Sequence, residues 1–411
     1  MTGIHTTVKV VGAKCNYDCK YCFYLEKDLL LNSKKVMNLD VLESYIKNYI
    51  SNQETPIIEF AWHGGEPLLA GLNFFNKAIE LQKKYAGNKV IKNTLQTNGS
   101  RLDKEWCRLF KENNFLIGLS FDGPEFLQAA YRTKQGKSVF NESLNALKLL
   151  QKMNVDYNVL ACVTQEYCQH AEDIYTFFKK HKVKHLQFSP IIEFLPSEQE
   201  LYRGQHFASN IILTTSSNTD VRQSMPWSVN AKDYGHFLVD IFKLWIKHDV
   251  GKVYISNFEQ ALTQYIGNES PNCIHAKECG SSYSIESNGD VYFCDHVTYP
   301  ESHLGNITTD TLQQLAENSS KFDFSKQSRL SNRCKQCRYL RICNGGCPKH
   351  RYLTSNFEYE NVLCEGYLYF FQQIEKYLHA MTSLLANGYP ASYIMQALDG
   401  PLILTPQTKG N

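Results

Sequence analysis

Val8-Lys9-Val10-Val11-Gly12-Ala13-Lys14-Cys15-Asn16-Tyr17-Asp18-Cys19-Lys20-Tyr21-Cys22-Phe23-Tyr24 is the stretch on which the reading of this chain turns. It opens on a short apolar run, Val8–Val11, that fits a buried strand. Three cysteines follow at once, with three and then two residues between them. Four thiolates saturate a four-iron, four-sulfur cluster. Three leave one iron with an open coordination position, as catalytic metal sites do. A zinc site is the competing account, but zinc calls for a fourth nearby Cys or His, and none follows at a suitable spacing.

Outward from this stretch, apolar runs alternate with helical periods. Ile57–Trp62, Ile91–Gln96, Leu116–Phe121, Tyr157–Val163 and His185–Ser189 read as further strands. Between them Leu39–Ser51, Asn73–Tyr85, Lys104–Glu112, Ser138–Met153 and Ala171–His181 read as helices, the first with Asn38 as its N-cap. Six alternating units predict an α/β fold, a parallel sheet wrapped by helices. The alternation stops near residue 190, so an open or partial (β/α)6 barrel fits better than a closed one of eight units. Residues 191–230 read as a long polar loop over the site, centred on Thr214-Thr215-Ser216-Ser217-Asn218. Asp233–His248 is an amphipathic helix, and beyond it cysteines, glycines and short strand pairs run to about residue 364. An aromatic-rich helix, Tyr367–Ala386, follows. The expected domains are 1–250, a Cys-rich domain 251–366, and a C-terminal helix and tail, 367–411.

The bulk numbers agree with an enzyme of ordinary globular composition. A chain of 411 residues suggests two or three domains. Its net charge of +2 supplies no basic field for nucleic acid. No apolar run is long enough to span a membrane, and the N-terminus lacks the pattern of a signal peptide, so the cytoplasm is the expected compartment. In a reducing compartment 14 cysteines point to metal or catalysis rather than to disulfides. Eleven fall into close sets or follow one: 15/19/22, 273/279/294, 334/337/343/347 and Cys364. Cys107, Cys162 and Cys168 stand apart and read as small buried hydrophobes or inert thiols.

Other motifs sit at the ends of the predicted strands, where barrel enzymes carry their chemistry. Trp62-His63-Gly64-Gly65-Glu66-Pro67 closes the second: the glycines allow close backbone approach, and Glu66 can take an ammonium group. Gln96-Thr97-Asn98-Gly99 ends the third and Ser120-Phe121-Asp122-Gly123-Pro124 the fourth. The eight late cysteines suffice for two fully ligated four-iron clusters. Two structural zinc sites compete with that account, although only Cys334 and Cys337 form the usual paired arm.

The first triplet, directly followed by Phe23 and Tyr24, resembles the signature of the radical S-adenosylmethionine (SAM) superfamily. That resemblance implies a four-iron cluster on Cys15, Cys19 and Cys22 that binds SAM beside Phe23 and Tyr24. It also implies that Gly64, Gly65 and Glu66 meet the SAM amino group. Ser120, Asp122 and Arg132 are the candidates for further polar contacts with SAM, Arg132 through its carboxylate. The late spacing resembles the SPASM extension of that superfamily. It implies one auxiliary cluster on Cys273, Cys279, Cys294 and Cys347, and a second on Cys334, Cys337, Cys343 and Cys364.

Longer segments look like one family within it. They are Cys15–Leu25, Ser284–Cys294 with Asp295-His296, Leu304-Gly305-Asn306-Ile307, and Cys343-Asn344-Gly345-Gly346-Cys347-Pro348-Lys349-His350-Arg351. Together they are similar to the anaerobic sulfatase-maturating enzymes, from about residue 8 to about 395. The resemblance implies oxidation of a Cys or Ser in an unfolded sulfatase polypeptide to Cα-formylglycine, with SAM and three [4Fe–4S] clusters. A 5′-deoxyadenosyl radical takes a Cβ hydrogen, Asp295 acts as base, and an auxiliary cluster accepts an electron. A reducing donor such as flavodoxin or ferredoxin is the further partner expected. Two positions depart from the family pattern: His63, where Gln is frequent, and Gln128-Ala129, where His-Asp or His-Asn is frequent. Both bear on the substrate more than on the reaction type. A SPASM maturase of another peptide, forming a thioether or crosslink, is the alternative; such enzymes often carry an N-terminal peptide-recognition extension, for which a first cysteine at position 15 leaves no room. A non-catalytic iron–sulfur electron carrier would need neither the Gly-Gly-Glu segment nor a three-cysteine cluster.

Overall fold

In the computed structural model, which describes residues 4–31, 35–209, 223–279, 282–320, 326–354, 356 and 358–399, the first strand is β1, His5–Lys9. It starts earlier than its apolar run and stops short of Val11. Gly12 explains the stop: its φ is +54°, and its N–H bonds back to the Lys9 carbonyl at 2.9 Å, turning the chain into the cysteine loop. The other five expected strands form as β2 (Ile57–His63), β3 (Val90–Thr97), β4 (Phe115–Ser120), β5 (Asp156–Val163) and β6 (His185–Pro190). The loop centre Thr214–Asn218 and the tail from residue 400 lie outside the described residues.

The chain folds as two units interleaved in sequence. The first comprises Met1–Leu160, Glu193–Ser217 and Gly280–Phe324; the second comprises Ala161–Ile192, Asn218–Cys279 and Ser325–Asn411. In the first unit β1 to β5 pair in parallel and in chain order, with Val8 opposite Trp62, Trp62 opposite Leu95, Gln96 opposite Gly118 and Ser120 opposite Leu160. This is the parallel sheet of the expected α/β fold. On the free edge of β1 lies β7, Ser282–Ile285, also parallel, with Val8 opposite Ile285. β8 (Asp290–Tyr292) and β9 (His303–Asn306) continue outward antiparallel. These strands place Cys294 and Asp295 beyond the end of β8, within the same unit as the first cysteine loop.

Local chemistry sets the helix ends. Asn38 caps Leu39–Ser51 through Val41 N–H at 2.8 Å, as expected. The helix expected from Ser138 starts at Phe140, because Lys137–Ser138 pairs back on Thr133–Lys134 around Gln135 and Gly136, both at positive φ. The helix expected from Asp233 starts at Ala231, since Asn230 caps the Asp233 N–H at 2.9 Å. An aromatic core of Tyr45, Phe60, Trp62, Phe75 and Trp106, mostly edge-to-face with Phe60 stacked on Trp62, fills the sheet-to-helix layer of the first unit. In the second unit, ahead of a short helix, Ile394–Asp399, the expected aromatic-rich helix runs Cys364–Ala386, three residues longer than its apolar pattern. It crosses Ala231–His248 backbone to backbone: a Cβ on Gly366 would stand 2.1 Å from the Ala231 carbonyl oxygen.

Candidate active site

The cysteine loop is held from both sides. Asp18 N–H and Lys20 N–H donate to the Thr133 and Tyr131 carbonyls, each at 2.9 Å, and Thr133 Oγ1 donates to Asp18 at 2.5 Å. From the other side, Gly65 N–H reaches the Gly12 carbonyl at 2.8 Å and Glu66 N–H reaches Lys14 at 2.9 Å. A Cβ on Gly65 would stand 2.2 Å from the Lys14 oxygen. The glycine therefore admits the backbone of the loop itself, next to Cys15. The three thiols lie within electrostatic reach of one another. Burial pushes Cys15 up to about 11 and Cys19 up to about 12, and neighbouring thiols add to each rise. Tyr17 N–H and Asn98 Nδ2 both point at Cys15 Sγ, at 3.4 and 3.8 Å. Buried, mutually coupled thiols with N–H donors beside them suit a thiolate-held cluster.

Two strand-end motifs close on the loop. Glu66 is fully buried; its carboxylate accepts from Leu68 N–H at 3.0 Å, Thr97 Oγ1 at 2.8 Å and Asn98 N–H at 2.8 Å. Burial nevertheless raises its pKa to about 7. Asp122 and Arg132 form a buried ion pair, Nε to Oδ2 at 3.1 Å, and Tyr21 donates to the same oxygen at 2.6 Å. Arg132 is 5% exposed, which excludes a solvated surface arginine. Ser120 Oγ accepts from Gln96 Nε2 at 2.8 Å.

Asp295 sits beside one cation, Lys9, and two imidazoles, His63 and His296. Lys9, fully buried at the end of β1, forms an ion pair with it and also reaches His63 Nδ1 at 3.1 Å. Gly64 N–H donates to that same nitrogen at 2.8 Å, so His63 is an acceptor there, and its pKa is lowered to about 4, chiefly by burial and then by Lys9. Burial alone raises the Asp295 pKa; Lys9, His63 and His296 outweigh it and hold the carboxyl well below the usual range. The Asp295 side chain keeps 31% of its surface exposed. Lys9 lies 4.5 Å from the Tyr24 ring centre, and the Tyr24 hydroxyl donates to Glu286. Phe23 stands edge-on to His296 at 6.4 Å.

In the second unit Cys334, Cys337, Cys343 and Cys364 line one cavity, walled by Tyr339, Tyr367 and Phe371. Burial first, with the other three thiols adding to it, raises Cys343 to about 12. Four convergent cysteines and no carboxylate in the lining fit a four-thiolate cluster. Cys273, Cys279 and Cys347 form a second set in this unit, within electrostatic reach of one another. Cys294 belongs to the first unit, where its Sγ accepts from His296 N–H at 3.3 Å.

Comparison with known proteins gives this geometry a family. Residues 10–178 match the Radical SAM superfamily, and residues 273–338 match SPASM, an iron–sulfur cluster-binding domain. The serine-type anaerobic sulfatase-maturating enzyme of Bacteroides thetaiotaomicron is 41% identical over 407 residues, covering 97% of this chain and 96% of that protein. The chain belongs to the anaerobic sulfatase-maturating enzyme family. The cysteine-type family member of Clostridium perfringens is 32% identical over 380 residues, covering 90% of this chain and 96% of that one. The solved structure "Native anSMEcpe with bound AdoMet and Cp18Cys peptide" matches with a TM-score of 0.80 at 31% identity, over 93% of this chain and 99% of that chain.

Two departures from the pattern of the sulfatase-maturating enzymes acquire partners. His63 is the Lys9 acceptor described above. Gln128 is fully buried and braces the fourth strand end: its Oε1 accepts from Asp122 N–H at 3.0 Å and its Nε2 donates to Ser143 Oγ at 3.0 Å. Sequence reasoning did not single out Lys9, Tyr21 or Glu286, which contact the expected site residues, and it gave Asn98 only as part of the motif that ends the third strand. Lys9 carried a signal all the same: it interrupts an apolar run at the C-terminal end of a strand, where a barrel keeps its chemistry.

Proposed function

We propose that this chain matures sulfatases of the serine type, oxidising a seryl residue of the sulfatase polypeptide to Cα-formylglycine. The family membership supports the reaction class, and the higher identity to a serine-type than to cysteine-type relatives supports the choice of serine. When bound, SAM and the clusters supply the 5′-deoxyadenosyl radical that takes the Cβ hydrogen and the oxidant that takes the remaining electron.

The observation that carries the proposal is the pair Lys9–Asp295, set one residue after Cys294 and in the same unit as the three-cysteine loop. Lys9 keeps Asp295 ionised, so the base is always in the form that accepts a proton. The Asp295 side chain is partly exposed, and its proposed role is to take the hydroxyl proton of the substrate. Glu66 is the proposed acceptor for the SAM ammonium group; a cation there would keep it ionised against the burial that raises its pKa. Arg132 and Asp122 are proposed to hold the opposite side of SAM, with Ser120, Phe23 and Tyr24 beside it. The three ligand sets are those implied by the family; the domains 1–250 and 251–366 are their proposed carriers, with 367–411 as a C-terminal helix and tail. A reducing protein such as flavodoxin or ferredoxin is the proposed electron donor. No helix among the described residues is long and apolar enough to cross a membrane; the cytoplasm remains the proposed compartment.

The test is anaerobic incubation of the reconstituted protein with SAM, reductant and paired peptides, Ser-x-Pro-x-Arg and Cys-x-Pro-x-Arg. Formylglycine and 5′-deoxyadenosine are read together by mass spectrometry. Formylglycine from the seryl peptide is expected. SAM cleavage with neither peptide oxidised would replace the sulfatase substrate with another peptide.

A further inference from the structure

Lys326 and Arg351 are buried cations, 0% and 3% exposed, in the second unit. Lys326 spends its three donors on the carbonyls of Cys273, Ile274 and Ala276, at 3.0, 2.8 and 2.7 Å. Arg351 donates only to carbonyls as well: Gly345, Asn344, Lys326 and Arg329, at 3.1 to 3.5 Å. The site is built for that guanidinium, since a Cβ on Gly345 would stand 2.7 Å from it. Neither cation has a carboxylate partner among the described residues, and the segment 324–357 contains no Asp or Glu. They also lie within electrostatic reach of each other, which makes burial costlier still. Carbonyl dipoles satisfy the N–H groups but leave two net positive charges in a medium of low dielectric. A buried charge needs an opposite charge. The groups of opposite sign within reach are thiolates: Cys273, Cys279 and Cys347 for Lys326, and Cys279, Cys347, Cys334 and Cys343 for Arg351.

We propose that Lys326 and Arg351 are the fixed counter-charges of the auxiliary clusters and raise their reduction potentials. The proposal rests on the ligand reading above. Lys326 acts on the cluster of Cys273, Cys279 and Cys347; Arg351 stands beside ligands of both. Four thiolates around a four-iron core leave it net negative, and one-electron reduction makes it more so, so a nearby cation favours the reduced form. The loop 273–276 wraps the ammonium itself, which joins the position of the charge to that of the first ligand.

The test is a one-electron potentiometric titration of the three-cluster protein, with dithionite as reductant and the clusters followed by electron paramagnetic resonance. A unit charge on the order of 10 Å from the centre, at an effective dielectric of about 20, changes the reduction equilibrium about tenfold. Lys326→Gln should therefore move one auxiliary potential about 59 mV more negative, and Arg351→Gln should move both, at unchanged iron content. Lys326→Arg and Arg351→Lys, which keep the charge, should stay near the wild type. A change below about twofold in Lys326→Gln at full iron content would overturn the proposal. If Lys326→Gln loses four irons while Lys326→Arg keeps them, the charge is needed to assemble the cluster, which supports it; loss in both marks a hydrogen-bonded staple and overturns it. The ligand reading fails separately, and without reference to potential, if Cys279→Ala retains every iron.

Discussion

Replacing Gly65 by Ala should remove the first cluster and leave the other two. The added Cβ would lie 2.2 Å from the Lys14 carbonyl oxygen, 2.4 Å from its carbon and 2.8 Å from the Ala13 oxygen. All three are backbone atoms, so no side chain can swing away. Ordinary contact starts at 3.4 Å, so strand end and loop must separate by about 1.2 Å. That breaks the bonds Gly65 N–H to Gly12 O (2.8 Å) and Glu66 N–H to Lys14 O (2.9 Å), at a combined cost of about 3 kcal/mol. Cys15 follows Lys14 directly, and a ligand displaced by about 1 Å leaves a metal–sulfur bond of about 2.3 Å unmade. The assay is iron per chain after anaerobic reconstitution, with 5′-deoxyadenosine formation beside it. About eight irons instead of about twelve are expected, with SAM cleavage reduced about 10²-fold or more. The surviving irons show that the second unit still folds. Twelve irons with normal SAM cleavage would refute the claim that this glycine exists to seat the cysteine loop.

Further expectations are open to equally direct measurement. Asp295→Asn should keep all clusters and SAM cleavage while formylglycine falls about 10²-fold, the usual worth of a placed base; near-normal product would remove Asp295 from that role. Cys107→Ala, Cys162→Ala and Cys168→Ala should each keep full iron content, Cys107 and Cys168 being buried apart from the ligand sets; four irons lost in any of them would show a wrong ligand set. Glu66 titrates near 4.5 when unfolded and near 7 when folded, so the folded state holds the proton more tightly between those values. Metal-free protein should accordingly lose up to about 3 kcal/mol of stability as pH rises from 4.5 to 7, and Glu66→Gln should not; parallel denaturation curves for the two would contradict this. Gly366→Ala should force apart the helices Ala231–His248 and Cys364–Ala386, lowering Tm and loosening the ligand Cys364 at the helix start; an unchanged Tm counts against that packing.

What the sequence made legible was what chemistry restricts by residue type. A cluster needs thiolates, and strands need apolar runs, so the cysteine sets and all six barrel strands were readable in one dimension. Ion pairs between distant segments were not. Lys9 and Asp295 are 286 positions apart, and nothing in Val8-Lys9-Val10 names its partner. The pairing becomes necessary only once β7 lies beside β1, carrying β8 and the turn at Cys294 with it. The same holds for Arg132, which the sequence offers only as a candidate contact to SAM. In the fold it stands against Asp122 and Tyr21, a few residues from the loop that Tyr131 and Thr133 strap down. Gln128 shows why a departure from a family pattern is ambiguous until its partners are known. Read along the chain, it bears on substrate choice. In the fold both ends of its amide are used, one on the Asp122 N–H and one on Ser143. Its change of residue type therefore acts first on where the Asp122–Arg132 pair is held, and on the substrate only through that pair. His63 is the opposite case: it touches Lys9 directly, and through Lys9 it touches the carboxylate proposed to take the substrate's proton. Of the two departures, His63 is thus the one placed to alter the chemistry of the base.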